Sequence, residues 1–347
     1  MSDYSDIELR EVDPSFKISM SSVEKLLLSC GLKYEPLDYM AALFDQDNTA
    51  VACGGYSGNT VKCLAVKESE RGSGLLNTVI SHLIKRLIDN GNDNITVFTK
   101  PENEKLFVSL GFKLIARAQK AVFMERGKGL ERYLKKLSFY KKDGVNGAIV
   151  MNCNPFTKGH LYLAEYASRE CDNLYVFVVS EDKSVFPTQV RFDLVKRGLS
   201  HLDNVTVIEG GPYIISRATF PSYFIKEYSD VTKSHTEIDV GIFGEYISPL
   251  LNIKRRFVGE ESTDKVTSEY NKSMERLLQS YGMDPLIVIP RKTDSLGEDI
   301  SASRVRKWIA DDEYEKIREA VPAVTYEFLR SKEGMTVIER IKNDKNS

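Results

Sequence analysis

The sequence is poor in the residues that build metal cages, disulfide frameworks and nucleic-acid faces. Four histidines, five cysteines and one tryptophan occur in 347 residues. The cysteines, Cys30, Cys53, Cys63, Cys153 and Cys171, are odd in number and form no C-x-x-C pair. That spacing argues against both a zinc ribbon and a disulfide framework, and they read as reduced thiols. No His/Asp cluster forms a dedicated metal cage, so no protein-held metal is expected. No apolar run approaches the roughly 18 residues needed to span a bilayer. The start, MSDYSDIELREVDPSF, is polar and acidic where a secretion signal needs a basic start and an apolar stretch, so a cytoplasmic protein with no membrane partner is expected. A basic excess is missing too. Lys and Arg number 48 against 50 Asp and Glu, a net charge of −2, which argues against a broad nucleic-acid-binding face. Any anionic ligand must therefore be held by a local site.

What is present is an ordinary globular composition, 42% hydrophobic and 28% charged, on a chain longer than one core usually supports. Two domains are expected. The stretch from Arg126 to Lys142, RGKGLERYLKKLSFYKK, is strongly basic and is followed by the turn-like DGVNG, which places the domains at 1–140 and 144–347. Leu130, Tyr133, Leu134 and Leu137 also fit a connecting helix whose lysines face water. In the first half TAVACGGYSG and TVKCLAVKES read as strands and RGSG opens the helix LLNTVISHLIKRLIDNG. ITVFTKP is a further strand, ENEKLFVSLGF a short helix and FKLIARAQKAVFMER a closing strand pair, an α+β pattern. In the second half the strands GAIVMNCNPF, NLYVFVVS and NVTVIEGG alternate with the helices GHLYLAEYASREC and TQVRFDLVKRGLSHL. That alternation predicts a doubly wound parallel sheet, with ligands at the carboxyl ends of its strands.

The topology places NCNPFTKGH where the first strand of that sheet gives way to its first helix. Free N–H groups and the positive dipole end of a helix favour an anion there, and phosphate is the obvious guest. Gly159 removes a Cβ that would keep a ligand from the backbone, while Thr157 and His160 add a hydroxyl and an imidazole donor. The alternative is that Thr157 is a plain N-cap, Gly159 a turn residue and His160 a first-turn histidine. A second cluster, GEDISASRVRKWI at 297–309, has two serines ahead of a helix and two arginines in its first turn. Arginines at a helix start oppose the dipole unless they grip a ligand's phosphates, although a serine cap followed by solvent-facing arginines remains open.

The pair T-x-G-H and I-S-x-S-x-x-R, here Thr157, Gly159, His160 with Ile300, Ser301, Ser303 and Arg306, resembles the signatures of the HxGH nucleotidyltransferase superfamily. Thr stands where many members have His. In order along the chain, NPFTKGH, FPTQVRFDLVKRG, YIISRATFPSYFIKE, TEID, RFVGEE and ISASRVR are similar to the citrate lyase ligase family. In the first half, a strand, then Arg71, Gly72 and Gly74 of RGSG, a helix and LFVSLGF resemble the GNAT acetyltransferase core, whose glycine loop holds the pyrophosphate of coenzyme A. Leu76 stands where that pattern has a second small residue.

These resemblances imply a GNAT-like first domain and a Rossmann-like nucleotidyltransferase domain. They imply a ligase that uses ATP, with Mg²⁺ arriving on it, to activate acetate as acetyl-adenylate and pass the acetyl group to the thiol of the citrate lyase acyl carrier protein. His160 and Thr157 are implied at the phosphates in the transition state, and Ser301, Ser303 and Arg306 at the β and γ phosphates. Arg304 gives a supporting contact, and Asn154, Pro155, Phe156, Lys158 and Lys183 are nucleotide-side candidates. Arg191, Ser216, Arg217, Thr219 and Glu260 are substrate-side candidates, with an internal ion pair the alternative for Arg191. Arg71, Gly72 and Gly74 would hold coenzyme A or pantetheine. His82, His201 and His235 read as structural or surface residues. Two other readings stand beside this one: a nucleotidyltransferase acting on a phosphorylated cofactor precursor, and an acetyl-CoA-dependent N-acetyltransferase regulated by nucleotide.

Overall fold

The computed structural model describes residues 7–180, 184–215, 220, 223–225, 227–260 and 265–345. Packing divides the chain into two units, residues 1–132 with 221–238, and residues 133–220 with 239–347. From sequence a single cut between 140 and 144 is expected; residues 221–238 instead group with the first unit. The reason is burial and pairing. Tyr223 and Phe224 are buried, Glu237 accepts from the Gln119 amide at 2.7 Å, and Lys120 pairs with Asp230 at 2.6 Å.

The first unit is α+β. Its strands are β1 (Glu8–Glu11), β2 (Tyr39–Phe44), β3 (Ala50–Ser57), β4 (Thr60–Val66), β5 (Ile95–Thr99), β6 (Lys113–Arg117) and β7 (Val122–Arg126), in the order β1-β2-β3-β4-β5-β7-β6. Helices α1 (Lys17–Ser29), α2 (Leu75–Asp89) and α3 (Glu104–Ser109) accompany them. Neighbours are antiparallel except β4 and β5, which run parallel. Their ladder joins Thr60 to Thr96 and Val61 to Val97 and stops there, although the strands continue to Val66 and Thr99. Leu75, Val79, Ile80, Leu83, Ile84 and Leu87 form one buried stripe on α2, the spacing of an amphipathic helix lying on a sheet. Gly54 of β3 makes that contact close. A Cβ there would sit 2.5 Å from Leu64 Cδ2 and 3.2 Å from Leu83 Cδ1.

The second unit begins inside α4 (Gly129–Ser138) and is doubly wound. Strands β8 (Asn146–Met151), β9 (Asn173–Val178), β10 (Val205–Glu209), β11 (Ile253–Gly259) and β12 (Ile287–Ile289) are all parallel, in the order β10-β9-β8-β11-β12. Helices α5 (Lys158–Arg169) and α6 (Thr188–Gly198) follow β8 and β9. They are succeeded by α7 (Tyr228–Ile242), which groups with the first unit as far as Ile238, and by α8 (Ser248–Leu251), α9 (Lys265–Ser280), α10 (Ala302–Ala310), α11 (Tyr314–Ala320), α12 (Ala323–Leu329) and α13 (Lys332–Lys345). Ala148 and Ile149 of β8 and Leu174 through Phe177 of β9 are fully buried. A parallel sheet covered on both faces requires such unbroken apolar runs. Each Val, Ile or Phe hidden there contributes about 1.5–3 kcal/mol. Strand order reverses between β8 and β11, and a crevice opens at that switch point. Among the described residues no helix is long and apolar enough to cross a membrane.

Candidate active site

A cleft of about 340 Å³ lies at the carboxyl ends of β8, β11 and β12. It is lined by residues of both phosphate motifs, including Thr157, Gly159, His160 and Ser301, together with Asn152, Glu260, Arg291 and Lys292. The two motifs meet across Gly159, where a Cβ would stand 3.0 Å from the carbonyl oxygen of Ile300. Here glycine serves closeness. The N-terminal ends of α5 and α10 therefore open on one space, and the first-turn Lys158 and Gly159 amides are N–H groups for which a helix supplies no internal partner.

Thr157 caps α5, and its side chain and that of His160 form a reciprocal capping box. The Thr157 amide donates to His160 Nδ1 at 3.1 Å, Thr157 Oγ1 lies 2.9 Å from the same nitrogen, and the His160 amide donates to Oγ1 at 3.4 Å. A ring nitrogen that accepts from a backbone N–H carries no proton, so the neutral imidazole holds its hydrogen on Nε2. Burial, and then the charge of Arg291, pulls the His160 pKa down to about 4. At neutral pH the cleft thus contains an uncharged imidazole whose Nε2–H is its remaining donor. The Phe156 ring stacks beside it at 6.2 Å between centroids.

The other predicted residues brace this cleft. Phe156 is fully buried; its ring fills the space a Cβ on Gly198 would need, and its carbonyl accepts from Thr325 Oγ1 at 2.9 Å. Ser301 caps α10 by accepting from the Arg304 amide at 3.2 Å. Arg306 donates to the Asn154 carbonyl and, at 3.3 Å, to Ser303 Oγ, so it ties the second motif to the loop of the first, which holds Pro155. Among the described residues no carboxylate pairs with Arg306 within 4 Å. Arg304 differs. Its guanidinium reaches Asp294 at 3.0 Å, Glu298 at 2.6 Å and the Asp299 carbonyl at 2.6 Å, and lies over Trp308. Those carboxylates answer the charge that the helix start opposes. Lys158 Nζ bonds the Arg318 carbonyl at 3.4 Å. Arg191 is fully buried away from solvent, and Glu260 stands exposed at the cleft. Lys183, Ser216, Arg217 and Thr219 lie outside the described residues.

Asn152, Arg291 and Lys292 escape sequence reasoning. Asn152 directly follows β8, and Arg291 and Lys292 come two and three residues after β12, so the carboxyl end of a parallel strand was the available signal. Arg291 donates to the Glu260 carbonyl and lies 4.0 Å from Asp299. Among the described residues no group of three or more His, Cys, Asp or Glu could hold a metal. His201 faces Glu165 at 3.3 Å on the surface, His82 bonds the Tyr39 hydroxyl at 2.8 Å, and His235 is buried.

In the first unit, Gly72 and Gly74 take φ of 83° and 87° in the turn between β4 and α2, a conformation open to glycine at no steric cost. Arg71 pairs loosely with Glu68 at 3.8 Å. It borders a separate cleft of about 280 Å³ with Leu76, Thr99, Lys100, Tyr223 and Phe224.

A family model described as the citrate lyase ligase C-terminal domain matches residues 146–329. The citrate (pro-3S)-lyase ligase of Haemophilus influenzae is 39% identical over 320 residues, covering 90% of this chain and 95% of the relative. That of Escherichia coli is 41% identical over 292 residues, covering 82% and 83%. Among solved structures, an acetyltransferase of the GNAT family from Staphylococcus aureus covers 35% of this chain and 98% of its own, with a TM-score of 0.30 at 15% identity.

Proposed function

Because the chain belongs to the citrate lyase ligase family, we propose that the cleft joins ATP to acetate and passes the acetyl group to the acyl carrier subunit of citrate lyase. The chain is a ligase that activates citrate lyase. The observation that carries the finer reading is the meeting of two helix N-termini across Gly159, at the sheet's switch point, beside an uncharged histidine donor and two cations.

In the first step a carboxylate oxygen of acetate attacks the α-phosphorus. The bond from that phosphorus to the bridging oxygen breaks, and pyrophosphate leaves with the electron pair. Acetate needs no strong base, since a carboxyl group of pKa about 4.3 is already ionised at pH 7. What the step needs is neutralisation of charge building on the phosphoryl oxygens and the leaving group. His160 Nε2–H and the first-turn amides of α5 donate to those oxygens, while Thr157 holds the imidazole in place through Nδ1. Ser301, Ser303, Arg306, Arg291 and Lys292 hold the β and γ phosphates, while Arg304 braces α10 behind them. A neutral imidazole suits this role because it donates without surrendering a proton to the phosphate. Mg²⁺ carried on the nucleotide would supply further neutralisation, with Glu260 the carboxylate at hand to hold it.

In the second step the carrier thiol attacks the acetyl carbonyl, the bond to AMP breaks, and the thiol proton passes to solvent. Arg71, Gly72 and Gly74 are assigned to the pantetheine arm; an unchanged KM for the carrier in Arg71→Ala and Gly74→Ala removes that assignment. The overall test is incubation with labelled acetate, ATP and the thiol-bearing carrier. AMP, pyrophosphate and a thioester are expected. Pyrophosphate release indifferent to acetate would point to a nucleotidyltransferase acting on another acceptor, and acetylation without ATP to an acyltransferase; either overturns the proposal.

A further inference from the structure

Arg191 of α6 is an unusual residue to find fully buried, because a guanidinium taken out of water must have its donors satisfied. Here backbone oxygens do much of that. Nε donates to the Phe186 carbonyl at 3.0 Å and Nη2 to Thr188 Oγ1 at 2.9 Å. Nη1 reaches the Val179 carbonyl at 2.7 Å, beyond the end of β9, and both the carbonyl and the side-chain Oδ1 of Asn152, at 2.8 and 2.6 Å. One cation thus pins the residues that follow two neighbouring strands. It also settles which way the Asn152 amide faces, since a guanidinium only donates and must meet the oxygen. The Nδ2 group is left on the other side. It donates to Ser184 Oγ at 3.2 Å, and its second hydrogen has no partner among the described residues, while Asn152 itself lines the cleft.

We propose that Asn152 contacts the substrate by donating from Nδ2 to a phosphate oxygen of the bound nucleotide, and that Arg191 is the residue that positions it. The inference rests on reading the cleft as the site of adenylate formation. It also accounts for the residue type. An aspartate would suit Arg191 equally well as an acceptor, yet it would set a negative charge against the nucleotide's phosphates and remove the donor.

That contrast supplies the test. Asn152→Asp keeps an oxygen for Arg191, so its melting temperature is expected to match or exceed that of the wild type. Its acetate-dependent pyrophosphate release is expected to fall by about 10²-fold or more, the loss typical of one preorganised donor. Asn152→Ala should lose activity similarly. Arg191→Lys retains the charge but not the fork that grips five oxygens, and should lower kcat/KM for ATP about 10-fold. Added to Asn152→Ala it should cost almost nothing further, because the two act through one contact. Should Arg191→Lys not fold, Asn152→Asp decides alone. Retention of more than a third of wild-type activity in Asn152→Asp, or a loss matched by loss of folded protein, overturns the inference. Wild-type protein that releases no pyrophosphate with acetate and ATP would instead overturn the reading of the cleft.

Discussion

Replacing Gly159 with alanine adds a single methyl at the point where the two phosphate motifs meet. As Gly159 is in the first turn of a helix with an ordinary φ, the backbone does not resist the change, and the higher helix propensity of alanine offers up to about 1 kcal/mol. Against that gain, the new Cβ would stand 3.0 Å from the Ile300 carbonyl and 3.5 Å from Thr157 Oγ1. The Ile300 loop must yield by a few tenths of an ångström. Stability should therefore hardly move, because the gain and the strain are of similar size. Activity should move, since a misplacement of about 1 Å can cost roughly 10²-fold when donors must match developing charge. A fraction of that displacement is expected to lower kcat/KM for ATP by about 10- to 100-fold. Thermal melting and acetate-dependent pyrophosphate release, measured on the same preparation, separate the two effects. A Gly159→Ala enzyme with wild-type turnover would refute the convergence of the loops on one ligand; a collapse in melting temperature would refute the stability argument.

Four further outcomes are expected. His160→Ala should lower turnover by about two to three orders of magnitude, with the fold kept, and more than a third of wild-type adenylation would remove His160 from its role. With its pKa held near 4 against an ordinary 6.5, His160 stays neutral across the working range, so the activity profile should show no limb near pH 6.5 that vanishes in His160→Gln. The same depression makes the unfolded chain the better proton acceptor between those values. Its stabilising contribution is complete above about pH 6.5 and lost as pH falls toward 4, which urea midpoints of wild type and His160→Gln at pH 7 and 4.5 would register. Finally, Thr325→Val deletes the buried hydroxyl that serves the Phe156 carbonyl and should cost about 1–3 kcal/mol in denaturant unfolding.

Much of the second unit was readable because its signals are local. Strands such as NLYVFV alternate with amphipathic helices, and a parallel sheet follows from that rhythm. The motif at 154–160 announced the cleft because glycine and a cap residue at a strand-to-helix turn have few other uses. Side-chain direction is not local, however. Phe156 shares a motif with His160 yet turns into the core against Gly198, and nothing at position 156 announces its partner 42 residues on. Arg304 looked like a phosphate ligand because the helix dipole opposes it; Asp294 and Glu298, within ten residues upstream, were the overlooked answer. Arg291 and Lys292 stayed hidden behind a strand only three residues long, too brief for alternation to register. In the first unit β1, α1 and β2 also went unread. The YMAALF stretch of β2 is buried throughout, so it lacks the polar beat that marks a half-exposed strand.

The grouping of residues 221–238 with residues 1–132 means that the polypeptide passes from one unit to the other three times. A gene split in two near codon 140 would strand the rings of Tyr223 and Phe224 on the wrong fragment. One product would carry an empty slot beside Leu76 and Phe98, and the other a pair of bare aromatics in water. Excising the insert and rejoining 220 to 239 would be the cleaner dissection of the second unit. The first unit would need residues 221–238 grafted back to its own end before its folding could be judged.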